Sequence, residues 1–337
     1  MTDHGNAPRI RVAVLGGGRS TEHEVSLASA ASVGSALDPA VHDVVALTIG
    51  RDGVWRDAAG RPLAGSPAES LSAALGVLAG CDVVFPALHG PLGEDGTLAA
   101  LLDLAGLPYV GAGVRAGALA MDKWATKLVA EAVGIAVAPG FLVTADTADQ
   151  VRFDGPVVVK PVAAGSSHGV SLVTDETDLA PAIAAALRID GRVLVEHLVT
   201  GREVDLAVLR RADGRLVAGP PLEIVLDDGR LFDTERKYDG GARFLIPAPL
   251  SAREHDRLVE ASLALFTALG CRGVARCDFF LTPDGPVLNE VNTMPGMTAQ
   301  SQVPKMFEHQ GLTYPALLGE LVQGALADGP ATGQVRR

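Results

Sequence analysis

The chain has 337 residues, of which 48% are hydrophobic and 20% charged, a balance that excludes a disordered or fibrous protein. At roughly 150 residues per domain it is long enough for two domains, or for one core divided into subdomains. Its net charge of -12 disfavours nucleic acids and anionic membranes as partners, because like charges repel. Three scattered cysteines are too few for a disulfide framework and fit a reducing compartment. No signal peptide is recognisable and no apolar run reaches the roughly 18 residues of a membrane helix, so we expect a soluble cytoplasmic protein.

The first third of the chain alternates between strand-like and helix-like segments. The apolar run Val12-Ala13-Val14-Leu15 stops at Gly16-Gly17-Gly18, and the alanine-rich stretch from Glu24 to Leu37 is typical of a helix. Further strands and helices are predicted in alternation at residues 44–49, 68–78, 82–85 and 96–105. Parallel strands joined by crossover helices produce this order, so we predict a Rossmann-like α/β subdomain over residues 1–112.

The rest of the chain is richer in strands and predicts an α+β architecture. Helical patterns lie at residues 119–133, 179–187 and 253–269. Short apolar runs between glycine or aspartate turns predict strands at 156–161, 170–173, 193–196, 204–209, 216–218 and 222–225. Strands spaced this closely pair mostly antiparallel.

Two segments of this second part have little apolar periodicity. Residues 227–242 are rich in charge and glycine, and a loop of that length in a compact domain is usually a lid or a binding loop. We therefore predict a mobile functional loop there. Residues 326–337 are predicted to form a frayed tail.

The sharpest chemical signal lies in the last pair of predicted strands. Side chains alternate faces along a strand, so Arg276 and Asp278 point the same way, as do Glu290 and Asn292 on the next strand. Asp284-Gly285 between them predicts a hairpin, which would bring all four to one surface. Asp278, Glu290 and Asn292 offer the oxygen ligands that Mg²⁺ prefers, with Arg276 close by to meet negative charge. The alternative is a row of solvated polar residues on an open sheet face.

Two lysines are candidates for binding an anion. Lys160 ends a buried strand and precedes the small-residue loop from Ala163 to Gly169, whose N–H groups can bind phosphate oxygens together with the ammonium group. Lys123, early in its helix, could serve the same anion. The alternatives are a lysine that snorkels over an ordinary turn and a plain surface lysine.

The N-terminal glycines resemble a dinucleotide-binding fingerprint only superficially. Thr21 stands where the third glycine of G-x-G-x-x-G belongs, which argues against a Rossmann-type oxidoreductase. The carboxylate of Glu22 suits an ammonium group better than a pyrophosphate, or else serves only as helix N-terminal charge. His89 follows a strand at the carboxyl edge of the sheet, where open sheets bind ligands, although a lone histidine is as often structural.

Six stretches together carry a resemblance to a known family. In chain order they are residues 17–26 (GGRSTEHEVS), 88–97 (LHGPLGEDGT), 121–123 (MDK), 160–167 (KPVAAGSS), 237–238 (KY) and 289–298 (NEVNTMPGMT). Over residues 9–325 the chain resembles the D-alanine:D-alanine ligase family of the ATP-grasp superfamily. The first and last stretches are specific at the family level, whereas the lysine motifs occur in ATP-grasp enzymes generally.

The resemblance implies an ATP-grasp fold with three subdomains. These would be the N-terminal substrate-binding subdomain at residues 1–112, a central ATP-grasp subdomain at 113–207 and a C-terminal ATP-grasp subdomain at 208–325. ATP would lie between the last two, and the C-terminal one would carry the magnesium site.

The resemblance also implies a role for individual residues. ATP would be held by Lys123, Lys160, Glu196, His197, Leu198, Glu203 and Lys237. The two D-alanines would be held by Glu22, His89, Lys237 and Ser301. Two Mg²⁺ ions, which Mn²⁺ can replace, would be bound by Asp278, Glu290 and Asn292. Catalysis would depend on Glu22, Ser166 and Tyr238 as a hydrogen-bonded set beneath the substrates, and on Arg276 and the Gly296 N–H as oxyanion donors.

The reaction implied by the resemblance is ATP-dependent formation of D-alanyl-D-alanine for peptidoglycan. The carboxylate of the first D-alanine attacks the γ-phosphate, and the amine of the second attacks the resulting acyl phosphate. Phosphoryl transfer needs charge neutralisation and acyl transfer needs donors aimed at an oxyanion, and the candidate residues can supply both. Closure of the loop at 227–242 would keep water from the acyl phosphate.

Two alternatives stay open from the sequence. A related ligase could take D-lactate, D-serine or a specialised amino acid as its second substrate, although Tyr238 after Lys237 favours a dipeptide product. The other alternative is a regulatory module that binds a nucleotide but catalyses no reaction. The complete set of Asp278, Glu290 and Asn292 beside Arg276 argues against it. The expected partners are the small molecules ATP and D-alanine, and the oligomeric state is left open, with a homodimer as one option.

Overall fold

The structure is a computed structural model, and it describes residues 8–226 and 242–329. Nearly all of the predicted loop at 227–242 lies outside the described residues, and Lys237 and Tyr238 with it. No helix among the described residues is long and apolar enough to cross a membrane.

The N-terminal part is a four-stranded sheet with helices on both faces, and the predicted alternation of parallel strands and helices is confirmed except for one additional short strand, β3. Its strands are β1 (Ile10–Gly17), β2 (His42–Ile49), β3 (Trp55–Arg56) and β4 (Val83–Pro86), and its helices are α1 (His23–Ala36), α2 (Pro67–Leu78) and α3 (Thr97–Leu104). The strand order is β3-β2-β1-β4, with β1 parallel to β2 and β4 and only β3 antiparallel. The carboxyl ends of β1 and β4 therefore lie side by side, where open sheets bind ligands.

Glycines at the end of β1 determine where α1 begins. Gly17 and Gly18 have φ angles of 85° and 102°, a region that residues with a Cβ rarely adopt. A Cβ on Gly17 would also collide with the Ile49 carbonyl oxygen of β2. This tight turn leaves Glu22 as the residue that precedes α1, at the edge of the sheet.

The helix predicted at residues 119–133 is wrong in its extent, because two helices occupy this region. They are α4 (Val114–Met121) and α5 (Lys123–Ala132), separated at Asp122. Asp122 has an extended backbone, and its carboxylate accepts the Ala125 N–H at 2.9 Å, which makes it the N-cap of α5. Because of this break, Lys123 is the first residue of a helix.

The central part is an antiparallel sheet covered on one face. It contains β6 (Gly140–Val143), β7 (Val157–Pro161), β8 (Ser171–Val173) and β9 (Val193–His197) in the order β6-β9-β7-β8, with α6 (Glu176–Leu187). Valines of the strands pack on Leu179 and Ile183 of α6. Side chains alternate along a strand, so Lys160 and Glu196 point to the opposite face.

The third sheet is built around the predicted hairpin, which is confirmed. It comprises β5 (Ala136–Val137), β10 (Arg202–Arg210), β11 (Leu216–Ala218), β12 (Leu222–Leu226), β13 (Ala242–Leu245), β14 (Val274–Thr282) and β15 (Gly285–Asn292), packed by α7 (Ala252–Leu269). The order is β13-β12-β10-β14-β15-β5, and only the β15–β5 pair is parallel. The boundary expected at residue 207 falls inside β10, which belongs to this sheet.

The C-terminal helices were not predicted, and they connect the third sheet to the first. They are α8 (Gln302–His309) and α9 (Tyr314–Asp328). The predicted tail at 326–337 is wrong at its start, because α9 continues to Asp328 and Leu326 packs on the core. Leu317 and Leu321 of α9 share a buried cluster with residues of β1, β4 and β10. Apolar burial therefore joins the first and third sheets.

Leu321→Ala should destabilise the fold strongly, because this side chain is 1% exposed at the junction of the two sheets. We expect the free energy of unfolding to fall by about 2–5 kcal/mol, measured by denaturant titration. Leu104→Ala is the matched control, since Leu104 is 85% exposed and its loss should change stability by no more than about 0.5 kcal/mol. Equal effects of the two substitutions would contradict the packing described for α9.

Candidate active site

A cleft of about 980 Å³ lies where the central sheet, the third sheet and the start of α1 meet. Every predicted site residue that the structure describes lines it: Glu22, His89, Lys123, Lys160, Ser166, Glu196, His197, Leu198, Glu203, Arg276, Asp278, Glu290, Asn292, Gly296 and Ser301. These residues come from positions as far apart as 22 and 301. The fold thus brings together the residues that the sequence singled out, apart from the two outside the described residues.

A buried carboxylate between two ammonium groups lies on the central sheet. Glu196 is 2.8 Å from Lys160 Nζ through one oxygen and 2.5 Å from Lys127 Nζ through the other. Lys160 Nζ also donates to Asn289 Oδ1 at 3.3 Å. Two ammonium groups against one carboxylate leave this group with one positive charge, which suits an anionic ligand.

Burial and charge pairing oppose each other in this group. Burial by itself raises the pKa of Glu196, but Lys160 and then Lys127 lower it, so the net shift is downward. Burial lowers the pKa of Lys127, and the attraction to Glu196 only partly opposes that shift. Glu196 is therefore ionised near neutral pH.

Lys123 connects α5 to the phosphate-loop candidate and to the hairpin. Its ammonium group donates to the Ala164 carbonyl at 2.8 Å and lies 3.2 Å from Glu290 Oε2. An ammonium group has three donors, so one remains for a ligand. The capped break at Asp122 thus places a cation between the 163–169 loop and the predicted metal ligands.

The loop after β7 is held in an unusual backbone conformation against Glu22. Ser166 and Ser167 have φ angles of 50° and 56°, which cost a non-glycine residue of order 1–2 kcal/mol each. Ser166 Oγ donates to Glu22 Oε1 at 2.5 Å. A Cβ on Gly165 would collide with the same carboxylate, so only glycine permits this approach. Strain of this kind is typical of ligand-binding loops.

His89 is buried in a network that joins three segments. Its Nδ1 lies 2.9 Å from the Met294 carbonyl oxygen, and its Nε2 lies 2.9 Å from Ser29 Oγ. Because a carbonyl only accepts, Nδ1 carries a proton. Burial acts to lower the pKa of His89, but Glu94, 3.5 Å from Nδ1, together with Glu22 and the Met294 carbonyl raises it, and the net shift is upward. The pKa of Glu94 is also raised, in its case because burial disfavours the ionised carboxylate.

The hairpin face carries the predicted charged row, in which Asp278 is buried and the other three residues are partly buried. Arg276 Nε and Nη2 donate to the two oxygens of Asp278 at 2.6 and 2.7 Å, a bidentate fork. Asp278 pairs with Glu290 across the hairpin, and Arg276 pairs with Asn292. Asn292 Oδ1 accepts the Met294 N–H at 2.9 Å. The alternative of an open, solvated sheet face is wrong, because these residues line the cleft.

The donor set fits a hard divalent cation. Two carboxylates and one amide oxygen face the cleft from adjacent strands, and the carboxylates are neutralised by Arg276 and Lys123. Among the described residues, no three His, Cys, Asp or Glu side chains form a ready metal cage, so this set depends on the amide of Asn292. A β-bulge between Asp278 and Phe279 turns Asn289 out of this row, toward Lys160.

The far end of the cleft offers backbone and hydroxyl donors. Ser301 precedes α8, and its Oγ accepts the Thr298 N–H at 3.1 Å instead of capping the helix. The N–H groups of a helix N-terminus favour an anion such as a carboxylate. A Cβ on Gly296 would stand 3.1 Å from Ser301 Oγ, which makes this turn a close approach.

The predicted nucleotide residues differ in exposure. Glu196 is buried, whereas His197 and Leu198 are exposed at the rim of the cleft. Glu203 lies on β10 opposite Phe280 of β14. The rim is therefore open to solvent at the end where adenine and ribose were expected.

Several residues of the site were missed in the sequence. Lys127 follows Lys123 by four residues, a spacing that puts both on one helix face, so the signal was available. Asp205 is a carboxylate inside an apolar strand, which was also a usable signal. Glu94 lies in the stretch at residues 88–97, where the sequence suggests no role for it. Nothing in the sequence distinguishes Ser29 from other helical serines.

Comparisons with known proteins bear on this site. Family models match the chain as D-ala D-ala ligase N-terminus over residues 11–112 and D-ala D-ala ligase C-terminus over residues 130–323. A curated D-alanine--D-alanine ligase from Mycolicibacterium gilvum is 44% identical, covering 95% of this chain and 98% of that protein.

Solved structures give the same picture. The VanG D-Ala:D-Ser ligase from Enterococcus faecalis is 33% identical with a TM-score of 0.79, covering 94% of this chain and 100% of that chain. A D-alanine--D-alanine ligase from Bacillus anthracis complexed with ATP is 27% identical with a TM-score of 0.76, covering 94% and 97%. All three relatives span nearly the whole chain.

Glu196→Gln should destabilise the protein by about 3–5 kcal/mol, because it leaves two buried ammonium groups without their counter-charge. Glu308→Gln, which makes the same chemical change at an exposed position, is the control. A carboxylate with a lowered pKa stabilises the fold above its unfolded pKa of about 4.3, and the effect fades as the pH falls below that value. Denaturant titrations should therefore show a large difference in the free energy of unfolding between Glu196→Gln and the unsubstituted protein at pH 7, and a smaller difference at pH 3. A difference that does not change with pH would contradict the ion pairing of Glu196.

Proposed function

The chain belongs to the D-alanine–D-alanine ligase family and is an ATP-dependent ligase that forms D-alanyl-D-alanine for peptidoglycan, and we propose that it does so with the residues of the cleft. The observation that carries this assignment of roles is the convergence in one cleft of two lysines, an oxygen donor set, a partly buried arginine and Glu22. The fold is of the ATP-grasp type, and its relatives include a structure complexed with ATP.

ATP binds, in this proposal, between the central and third sheets. Lys123 and Lys160 each keep an N–H donor for phosphate oxygens, and the loop at 163–169 adds backbone N–H groups. The net positive charge of Lys127, Glu196 and Lys160 favours the triphosphate. The base and ribose lie toward the exposed rim at His197, Leu198 and Glu203.

The first D-alanine lies at the start of α1. Glu22 receives its ammonium group, and the Ser166 hydroxyl holds the Glu22 carboxylate in place. His89 lies in the same cleft, fixed by Ser29 and Met294. With the ammonium held, the substrate carboxylate attacks the γ-phosphate, the bond to ADP breaks and an acyl phosphate forms.

The second D-alanine lies near the N-terminus of α8. Its carboxylate binds Ser301 and the helix N–H groups, and Lys237 is assigned the same carboxylate from the resemblance alone. Its neutral amine attacks the acyl carbon, a C–N bond forms, the C–O bond to phosphate breaks and the amine loses a proton. Arg276 and the Gly296 N–H stabilise the oxyanion that forms on the way.

Asp278, Glu290 and Asn292 are proposed to hold two Mg²⁺ ions, which Mn²⁺ can replace. Bound there, the ions neutralise charge on the transferring phosphoryl group. The hard oxygen donors support the assignment. The chain's own contribution is to keep these donors beside Lys123 and Arg276, both of which are fixed by ion pairs.

The subdomain division, location and assembly are part of the proposal. We propose three subdomains, as the sequence predicts at 1–112, 113–207 and 208–325, but with the second boundary moved to residues 198–201, between β9 and β10, because all of β10 belongs to the third sheet. Use of ATP and three buried free cysteines support a cytoplasmic location. The assembly stays open, with a homodimer as one option that sedimentation would test.

One alternative for the second substrate is favoured by a specific comparison. The Enterococcus faecalis relative is named a D-Ala:D-Ser ligase, so D-serine is the main competitor, followed by D-lactate. The curated D-alanine--D-alanine ligases are more similar, at 43–44% identity.

The deciding experiment is phosphate release from ATP with each candidate substrate. We expect D-alanine alone to give D-alanyl-D-alanine, identified by mass. Equal D-alanine and D-lactate at about pH 7–9 should give mostly dipeptide, because the neutral, nucleophilic fraction of the D-alanine amine rises across this range. L-alanine is the control. Dominant D-alanyl-D-serine or depsipeptide would reassign the second substrate but not the family.

Glu290→Gln should lower turnover by on the order of 100-fold with the fold intact, because it removes charge beside a transferring phosphoryl group. The measurement is kcat at rising Mg²⁺ concentration, with Glu308→Gln as the exposed control. Near-normal kcat at saturating Mg²⁺ would refute the assignment of Glu290 as a ligand.

A further inference from the structure

Asp205 is a buried carboxylate in the cleft that the proposed reaction leaves without a role. It is 3% exposed, lies in the apolar strand β10 and lines the cleft. Its register partner on β14 is Asp278, one of the proposed metal ligands. Two carboxylates directly opposite each other across a sheet repel, so this placement is costly unless a cation serves both.

That cation is Arg276. Its Nε lies 3.6 Å from Asp205 Oδ2 while the Nε and Nη2 groups form the fork to Asp278. Nε has a single N–H, which Asp278 takes, so the contact with Asp205 is an attraction between charges. Burial alone lowers the pKa of Arg276, but its carboxylate neighbours, Asp278 first and Asp205 after it, raise it.

The fork leaves part of the guanidinium for the reaction. An arginine has five N–H donors in one plane, and the fork uses two of them. The other three point away from Asp278. The plane must keep its orientation for these donors to meet an oxyanion, since a shift of about 1 Å in such a group can cost on the order of 100-fold in rate.

Asp205 is itself held from a second element. Gln302 Nε2, in the first turn of α8, donates to Asp205 Oδ2 at 2.9 Å. Gln302 follows Ser301, the residue proposed to receive the second substrate. A series of neighbouring residues thus connects the proposed pocket of the second substrate to the oxyanion donor: Ser301, Gln302, Asp205 and Arg276.

We propose that Asp205 is a positioning residue that fixes the guanidinium of Arg276 for acyl transfer, so that the orientation does not depend on Asp278 alone. The inference rests on the proposed function, in which Asp278 also serves a divalent cation. A carboxylate that binds a cation gives up charge to it, and Asp205 then supplies the second, constant counter-charge for Arg276.

The test is a double-mutant cycle of Asp205→Asn with Arg276→Met. Asp205→Asn keeps the shape and an acceptor for Gln302 but removes the charge. We expect it to lower kcat for D-alanyl-D-alanine by about tenfold, with KM for ATP and D-alanine changed less than about threefold. In the Arg276→Met background the same change should alter kcat by less than about twofold, because the group it orients is gone.

Glu223→Gln is the matched control. Glu223 is a buried carboxylate of the same sheet, bound to Arg202 by two hydrogen bonds of 2.8 and 2.7 Å, outside the cleft. The Glu223→Gln variant should be destabilised, as Asp205→Asn should be, but its kcat should stay within about twofold of the wild-type value. If Asp205→Asn does not fold, Asp205→Glu, which keeps the charge but moves the carboxylate by one methylene, goes through the same cycle.

The contrary outcomes are distinct. Effects on kcat that add in the double variant would overturn the inference, since Asp205 would then act independently of Arg276. A raised Mg²⁺ requirement with normal kcat at saturation would overturn it too and make Asp205 a metal ligand. A wild-type enzyme that makes no D-alanyl-D-alanine would overturn the proposed function and this inference with it. If the wild type is active, a contrary result with the variants counts against the role of Asp205 alone.

Discussion

Charged side chains in the cleft are paired, and most of the pairs join different elements, so the cleft depends on this pairing. Glu196 of the central sheet faces Lys127 of α5, Lys123 of α5 faces Glu290 of the third sheet, and Arg276 faces carboxylates of two strands. An unpaired charge buried there would cost several kcal/mol. Because α5 supplies cations to both sheets, the position of this one short helix fixes where the sheets stand relative to the cleft.

The same groups that pair in the structure are those that the proposed reaction uses. Lys123 and Lys160 neutralise carboxylates and keep one donor each for phosphate, while Asp278 and Glu290 are neutralised by cations and offer oxygens to a metal. When a ligand binds, these side chains exchange or share their ion-pair partners. Binding therefore does not require unpaired charges to lose their hydration first. A preorganised site of this kind suits phosphoryl transfer, in which positioning and charge neutralisation do most of the work.

Apolar packing decides which segments can contribute to this site. The buried cluster of α9 with β1, β4 and β10 joins the N-terminal sheet to the third sheet, and it places Glu22 and His89 within the same cleft as Arg276. The buried serines of α1 then connect the two parts, because Ser29 meets His89 and the Met297 N–H. Residues about 270 positions apart in sequence thus become neighbours through a core that contains no catalytic group.

The sequence by itself determined the features that follow from local periodicity. The alternation of side chains along β14 and β15 placed Asp278, Glu290 and Asn292 together, and the Asp-Gly turn made the two strands a hairpin. The glycines at the end of β1 likewise marked the turn that leads to Glu22, and the small residues after β7 marked the loop that approaches it. Only the tertiary structure decided the break between α4 and α5, the packing of α9, and the partners of Glu196 and Asp205. The reason is physical: a strand or turn is specified by bonds and sterics within a few residues, whereas the partner of a buried charge is chosen by whichever distant segment the core packs against it.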